Sequence, residues 1–321
     1  MTVQVVTSLV LLYTGWQFYR FVQHFETGGA TPYVPRPTLV DGFLPITGLL
    51  GVKSWIVNGV FDTIHPAALV IFLTALTVSL LLQRGFCGWL CPVGLLSEVV
   101  GGIGKKVFGR NFKLPTPVDL ALMAPKYLVL LFFVKVVVVD MSGPAAAEFL
   151  QSPYSKIVDV KMLYFFTEMS LGVGAFIGAV IVLSAVIGNF WCRYLCPYGA
   201  LLGLVGILSP LKIRRNDESC IDCRLCTKVC PNRIDVAQTD RVESIECTGC
   251  MKCLSACPRK GALELKLAGM RREVNLWAYP ALLIGVIAVF FLLAYATGHW
   301  YSSIGYEEYA SLIPKAGSFS H

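Results

Sequence analysis

The sequence predicts an all-α integral membrane domain of about five transmembrane helices, with an internal two-fold repeat, and a small α+β module inserted ahead of the last span. Three observations predict it. Of the 321 residues, 55% are hydrophobic and only 15% charged, with a mean hydropathy of +0.66; soluble domains hold about 45–50% apolar and about 25% charged residues. A nine-residue pattern occurs twice. All twelve cysteines fall inside motifs. The composition argues against a water-soluble enzyme and against a disordered chain.

Apolar stretches at about 3–22, 66–83, 121–140, 171–190 and 277–297 approach the roughly 20 residues that cross hydrocarbon. The first begins at Met1 with no basic leader and no small-residue cleavage site, so it reads as a retained anchor. Pieces at 43–61, 92–104 and 197–208 are broken by Gly and Pro and read as interfacial or re-entrant half-helices. Segments 84–126 and 191–272 carry 20 of the 27 Lys and Arg residues. The shorter of them includes Arg84, Lys105, Lys106, Arg110 and Lys113, and the positive-inside rule makes this side cytoplasmic. The expected setting is a bacterial or archaeal cytoplasmic membrane, with the N-terminus inside and the tail 298–321 outside. The cysteines then face or border a reducing compartment, where metal or redox use is favoured over disulfides.

The first cysteine system lies at 220–258, where C-x2-C-x2-C-x3-C-P occurs twice. This spacing holds [4Fe–4S] cubanes through thiolates, with the fourth cysteine of each run serving the other cluster. Cys220, Cys223, Cys226 and Cys257 are therefore expected to bind one cluster, and Cys247, Cys250, Cys253 and Cys230 the second. Pro231 and Pro258 end the short helices. Zinc also takes C-x2-C pairs, but needs four ligands, not eight in two interlocked runs. The segment resembles the bacterial two-cluster ferredoxin, a one-electron wire with no substrate pocket of its own. The expected divisions are a membrane domain at 1–210, the ferredoxin module at 211–270, and the final span with its tail at 271–321.

The second system is the repeat. Phe86-Cys87-Gly88-Trp89-Leu90-Cys91-Pro92-Val93-Gly94 closes the second span, and Trp191-Cys192-Arg193-Tyr194-Leu195-Cys196-Pro197-Tyr198-Gly199 closes the fourth. Both copies sit at the same membrane boundary, so the halves are expected to be related by an axis along the membrane normal. Spacing i, i+4 puts both sulfurs of each copy on one helical face. Cys87, Cys91, Cys192 and Cys196 are expected to converge on a metal, a further cluster or a redox dithiol, against the plainer role of small buried residues.

Few other side chains carry a chemical signal. His24, His65 and His299 fall near outer span ends. A bis-His haem through His24 and His299 is disfavoured, since such ligands normally lie within the helices. His65, before Pro66, and Asp62 are weak candidates for proton exchange with a quinone, a range in which histidine titrates. Asp140, Glu148, Asp159 and Glu168 are further candidates on the outer side. Lys135, inside the third span, stands five residues from Asp140, a poor spacing for a helical ion pair; the alternative is snorkelling. Arg224, Lys228, Arg233, Lys252, Arg259 and Lys260 surround the cluster motifs and are explained by cytoplasmic positive bias and by the lipid bilayer, with guidance of an acidic redox partner as the rival account. Nothing points to nucleic acid, and Gly101, Gly102 and Gly104 lack the preceding strand of a phosphate loop.

Taken together, the two C-x3-C-P motifs, the two-cubane module and the final span resemble the membrane iron–sulfur proteins of the NapH/NosR/CcoG type. The resemblance implies electron transfer between the membrane quinone pool and iron–sulfur centres of a respiratory complex, with other redox subunits (an iron–sulfur protein, cytochrome or reductase) as partners. NosR-like members add a flavin-bearing domain ahead of the first span. CcoG-like members are linked to copper reduction and extend beyond the last span, where about 24 residues stand here. The NapH-like branch, a quinol dehydrogenase membrane component, is the expected one; the alternatives are a copper-reducing maturation factor and a membrane anchor for a ferredoxin.

Overall fold

The computed structural model describes residues 2–268 and 273–319. In chain order the helices are α1 (Thr2–Glu26), α2 (Pro45–Asn58), α3 (Pro66–Leu82), α4 (Gly85–Trp89), α5 (Pro92–Phe108), α6 (Thr116–Phe133), α7 (Gly143–Gln151), α8 (Pro153–Lys156), α9 (Val158–Thr167), α10 (Leu171–Ile187), α11 (Pro197–Ile207), α12 (Leu225–Lys228), α13 (Lys252–Ala256), α14 (Ala278–Ala296) and α15 (Tyr306–Leu312). Proline opens α2, α3, α5 and α11, where the missing N–H costs nothing and φ is already helical. Gly59 and Gly109 close α2 and α5 in the left-handed region, which a side chain would disfavour.

Each of the five apolar stretches is helical, as are the three shorter pieces. By length and composition two helical stretches suffice to cross a membrane, Thr116–Asp140 and Ala278–Ala296. A third is added if α9 and α10, bent by 79°, count as one span. Residues 134–140 extend α6 as a π-helix. This revises the expectation for Lys135. In a π-turn hydrogen bonds run from i to i+5, so the two side chains come into register and Lys135 Nζ lies 2.5 Å from Asp140 Oδ2. Lys53 donates to the carbonyls of Val137 (2.8 Å), Val138 (3.0 Å) and Met141, satisfying acceptors left free at the end of that turn.

The chain divides into two compact units. The first holds residues 1–7, 75–130 and 177–287. Its core joins Val78, Leu82, Tyr279 and Leu283 to Leu211, Ile213 and Leu265, with Cys247, Met251 and Cys253. Val78 and Leu82 come from α3 and Tyr279 and Leu283 from α14, while Leu211, Ile213 and Leu265 come from an antiparallel pair, β1 (Leu211–Arg215) and β2 (Leu263–Leu267), in register Leu211↔Leu267 to Arg215↔Leu263. The buried Tyr279 hydroxyl donates to Leu82 O at 2.6 Å. The second unit holds residues 8–74, 131–176 and 288–321. Its largest apolar cluster joins Phe18, Phe21, Val22 and Phe25 to Val40, Ile157, Val160, Tyr309 and Ile313. The expected boundary at 270/271 lies outside the described residues.

Candidate functional site

Both C-x2-C-x2-C loops adopt the same unusual backbone. Asp222 and Arg224 in the first have φ of 50° and 55°; Gly249 and Met251, at the matching places in the second, have 60° and 58°. Left-handed conformations at non-glycine residues cost free energy and persist where surroundings impose them. Here they turn the chain between successive cysteines, so that each loop wraps its three thiols inward. α12 and α13 then carry the chain to Cys230 and Cys257.

The result is two four-cysteine cavities. One is lined by Cys230, Cys247, Cys250 and Cys253. The other is lined by Cys220, Cys223, Cys226 and Cys257. The structure thus groups the thiols crosswise between the runs. The walls differ in polarity: Ile213, Val236 and Val242 close the first, while Arg215, Arg224 and Arg259 border the second. Burial pushes the Cys247 thiol up to about 12, whereas Cys223 is exposed. Among the described residues, no three His, Cys, Asp or Glu side chains are grouped tightly enough for a single metal ion. Four thiols around a cavity are a donor set of the kind that holds an iron–sulfur cubane.

The repeat cysteines also meet within this unit. Burial, then Cys87, pushes Cys91 up to about 12, with Cys196 adding to it. Burial, then Cys91, Cys196 and Cys87, raises Cys192. The short helix that carries Cys87 ends at Trp89, two residues before Cys91, and the π-turn that carries Cys192 ends at Leu195, next to Cys196; Pro92 and Pro197 start the next helices. Cys196 Sγ accepts from Gly199 N at 3.2 Å.

Among these thiols lies Arg84, 2% exposed and hydrogen-bonded to Cys87. Its Nη1 also donates to Ile245 O and Glu246 Oε2, both at 3.2 Å. Lys126, wholly buried, reaches Glu246 Oε1 at 2.5 Å. At Gly199 a Cβ would lie 2.8 Å from Arg84 Nη2, so a larger residue there would displace the guanidinium. Sequence reasoning counted Arg84 only as a topological charge and passed over Lys126 and Glu246. The available signals were an arginine three residues ahead of Cys87 and a carboxylate directly ahead of Cys247.

The second unit places the remaining candidates in a separate network. His65 is fully buried, with Nδ1 at 3.1 Å from Asp41 Oδ1 and Nε2 at 2.9 Å from Ser155 O. Arg36 donates to Asp159 Oδ2 at 2.8 Å and pairs with Asp41. Asp62 is also buried and accepts from Ile64 N at 2.9 Å and His65 N at 3.3 Å. His24 contacts Thr31 O and Tyr306 Oη, and His299 packs on Phe61 with ring centroids 4.3 Å apart. Sequence reasoning named His65 and Asp62 but missed Arg36 and Asp41, for which no motif exists.

These features define a membrane protein of the ferredoxin-type, iron–sulfur electron-transfer class. A family model described as a 4Fe-4S binding domain matches residues 64–111 and again 170–216, and one described as a 4Fe-4S dicluster domain matches 212–277. The chain is 42% identical to the putative electron transport protein YccM of Escherichia coli K12, over 98% of this chain and 90% of that protein. It is 24% identical to the ferredoxin-type protein NapH of the same organism, over 68% of this chain and 75% of NapH. To the regulatory protein NosR of Pseudomonas aeruginosa it is 33% identical, over 58% of this chain but only 25% of NosR. No solved structure matches. The chain belongs to the NapH/NosR-type family of ferredoxin-type electron-transport proteins.

Proposed function

We propose that this protein carries electrons between the membrane quinone pool and the iron–sulfur centres of a respiratory redox partner. The observation that carries the reading is the crosswise grouping of eight cysteines into two four-thiol cavities. Cys220, Cys223, Cys226 and Cys257 hold one [4Fe–4S] cluster; Cys247, Cys250, Cys253 and Cys230 hold the second. Each cluster, when bound, supplies a one-electron carrier. The chain's own residues set its surroundings: an apolar wall of Ile213, Val236 and Val242 on one side, arginines on the other. Burial and nearby charge are levers on cluster potential, so the two sites differ in potential. In this reading the module faces the cytoplasm, five spans anchor it, and the two membrane halves repeat; one family model matching twice supports the repeat. The divisions are 1–210, 211–270 and 271–321.

The test is low-temperature EPR of the purified, oxidised, anaerobic protein after addition of excess menaquinol. Reduced-cubane signals are expected. Signals with dithionite but none with menaquinol would remove the quinol link.

A second reading is favoured by one observation, the gathering of Cys87, Cys91, Cys192 and Cys196 around Arg84. Such a group can hold a further metal centre, or take up a metal ion as substrate for reduction in oxidase maturation. Cys91→Ser with Cys196→Ser separates the two: a respiratory subunit loses electron flow, whereas a maturation factor leaves its client oxidase short of metal.

A further inference from the structure

A groove in the first unit lies against the cavity of Cys230, Cys247, Cys250 and Cys253. It has a volume of about 690 Å³, within the range of roughly 300–1,000 Å³ typical of small-molecule sites. One wall is the start of α6, with Leu120, Met123, Ala124 and Tyr127; the other is the chain from Asn232 to Glu246. We propose that this groove binds the headgroup of a membrane quinone. The proposal rests on the quinone-linked reading above and gives it a location.

Three observations lead there. First, the α6 wall belongs to a stretch apolar enough to cross a bilayer, and Leu120 is 62% exposed. A lipophilic ligand therefore has an apolar surface beside the bilayer on which to lay its tail. Second, the polar groups of the groove suit a compact molecule with carbonyl acceptors. The Tyr127 hydroxyl makes no hydrogen bond to any described residue. Arg233 Nη2 is buried without an acceptor, although Arg233 also bonds to Tyr194. A buried donor without a partner is costly, and Arg233 is further held at φ 58°, a strained conformation of the kind that collects at ligand sites. A ligand carbonyl would supply the missing acceptor once the Arg233 side chain turns toward the groove. Third, Asn232 and Ile234 line both the groove and the four-cysteine cavity. A single layer of side chains thus separates a molecule in the groove from that thiol set. His65 and Asp62, by contrast, are buried, and both ring nitrogens of His65 are engaged.

The test uses the full chain in phospholipid nanodiscs and equilibrium binding of 2-heptyl-4-hydroxyquinoline N-oxide, a fluorescent quinone analogue, with menaquinone as competitor. The wild type is expected to bind saturably, one per chain. Ala124→Trp, which fills the groove, is expected to weaken binding at least about tenfold, and Tyr127→Phe and Arg233→Gln by about three- to tenfold each. The EPR spectrum of the dithionite-reduced protein is unchanged in Ala124→Trp, which shows that the module is folded. His65→Gln binds as the wild type does. Undiminished binding by Ala124→Trp would overturn the groove and leave the quinone reading standing. No binding by the wild type, or binding displaced by added phospholipid but not by menaquinone, would overturn both.

Discussion

Two buried charge networks, one in each unit, are built from the same chemistry and balanced differently. In the second unit Arg36 and His65 face Asp41 and Asp159. The His65 ring has an acceptor at each nitrogen, Asp41 Oδ1 and Ser155 O, which favours the doubly protonated cation, while Arg36 Nη2 at 3.3 Å from Nδ1 opposes it. Burial alone would lower its pKa; the Asp41 carboxylate outweighs burial and raises it. Two cations then meet two anions, and the quartet is neutral. In the first unit Arg84 and Lys126 share the single carboxylate of Glu246. With both protonated one positive charge is left over, and Arg84 lies among the thiols of Cys87 and Cys192. A buried charge without a counterion is expensive, so the surplus marks a place where negative charge is supplied by something else, such as metal-bound thiolates. The neutral network is a structural clamp; the unbalanced one is the electrostatics of a site.

Removing one arginine from each network puts this contrast at its greatest risk. Arg36→Met strands Asp41 and Asp159 beside one remaining cation and is expected to cost about 3–5 kcal/mol. Arg84→Met leaves Lys126 and Glu246 as a balanced pair, so its cost should stay near 1–2 kcal/mol, that of lost hydrogen bonds. Unfolding midpoints in detergent measure both. Iron content and EPR should show the reverse order, with Arg84→Met the more damaging to any centre on Cys87, Cys91, Cys192 and Cys196. Equal destabilisation by the two substitutions would break the comparison.

The parts of the molecule legible in its sequence are those governed by short-range periodicity. The apolar stretches are helices because a run such as 66–82 carries no charged residue and few polar ones, and proline places its start. The crosswise grouping of the eight module cysteines was legible because it follows their spacing in the two runs. The charge networks were not legible. Arg84 and Glu246 are 162 residues apart, and Lys126 and Glu246 120 apart; only the packed fold brings them together. Asp41 is equally silent, since nothing in Val-Asp-Gly announces a partner at Arg36 or His65. The groove escaped for the same reason, its walls lying about a hundred residues apart in the chain.

A pH titration sharpens the neutral half of the contrast. A histidine whose pKa is raised in the folded state contributes stability that is fully present below its unfolded value, about 6.5, and is lost as pH rises through the folded value. The unfolding midpoint of the wild type should therefore fall relative to that of His65→Gln as pH rises above about 6.5. A constant difference across this range would mean that His65 is neutral and that the quartet carries a net negative charge.

The smallest effect is expected at Lys135, and its smallness is informative. This ion pair also joins opposite charges at 2.5 Å, as close as Lys126 and Glu246. The difference is surroundings: the Lys135 and Asp140 side chains are 66% and 47% exposed, against 0% and 9%. An exposed pair gains little beyond what solvent already provides, about 0–1 kcal/mol. Lys135→Met should therefore shift the unfolding midpoint slightly, while Lys126→Met, which strips a buried hydrogen bond from Glu246 and leaves it paired with Arg84, should cost about 1–2 kcal/mol. Both side chains belong to Thr116–Asp140, so the comparison holds the helix constant and varies burial. If Lys135→Met proved as costly as Lys126→Met, separation rather than burial would govern these pairs, and the distinction drawn between a clamp and a site would lose its physical basis.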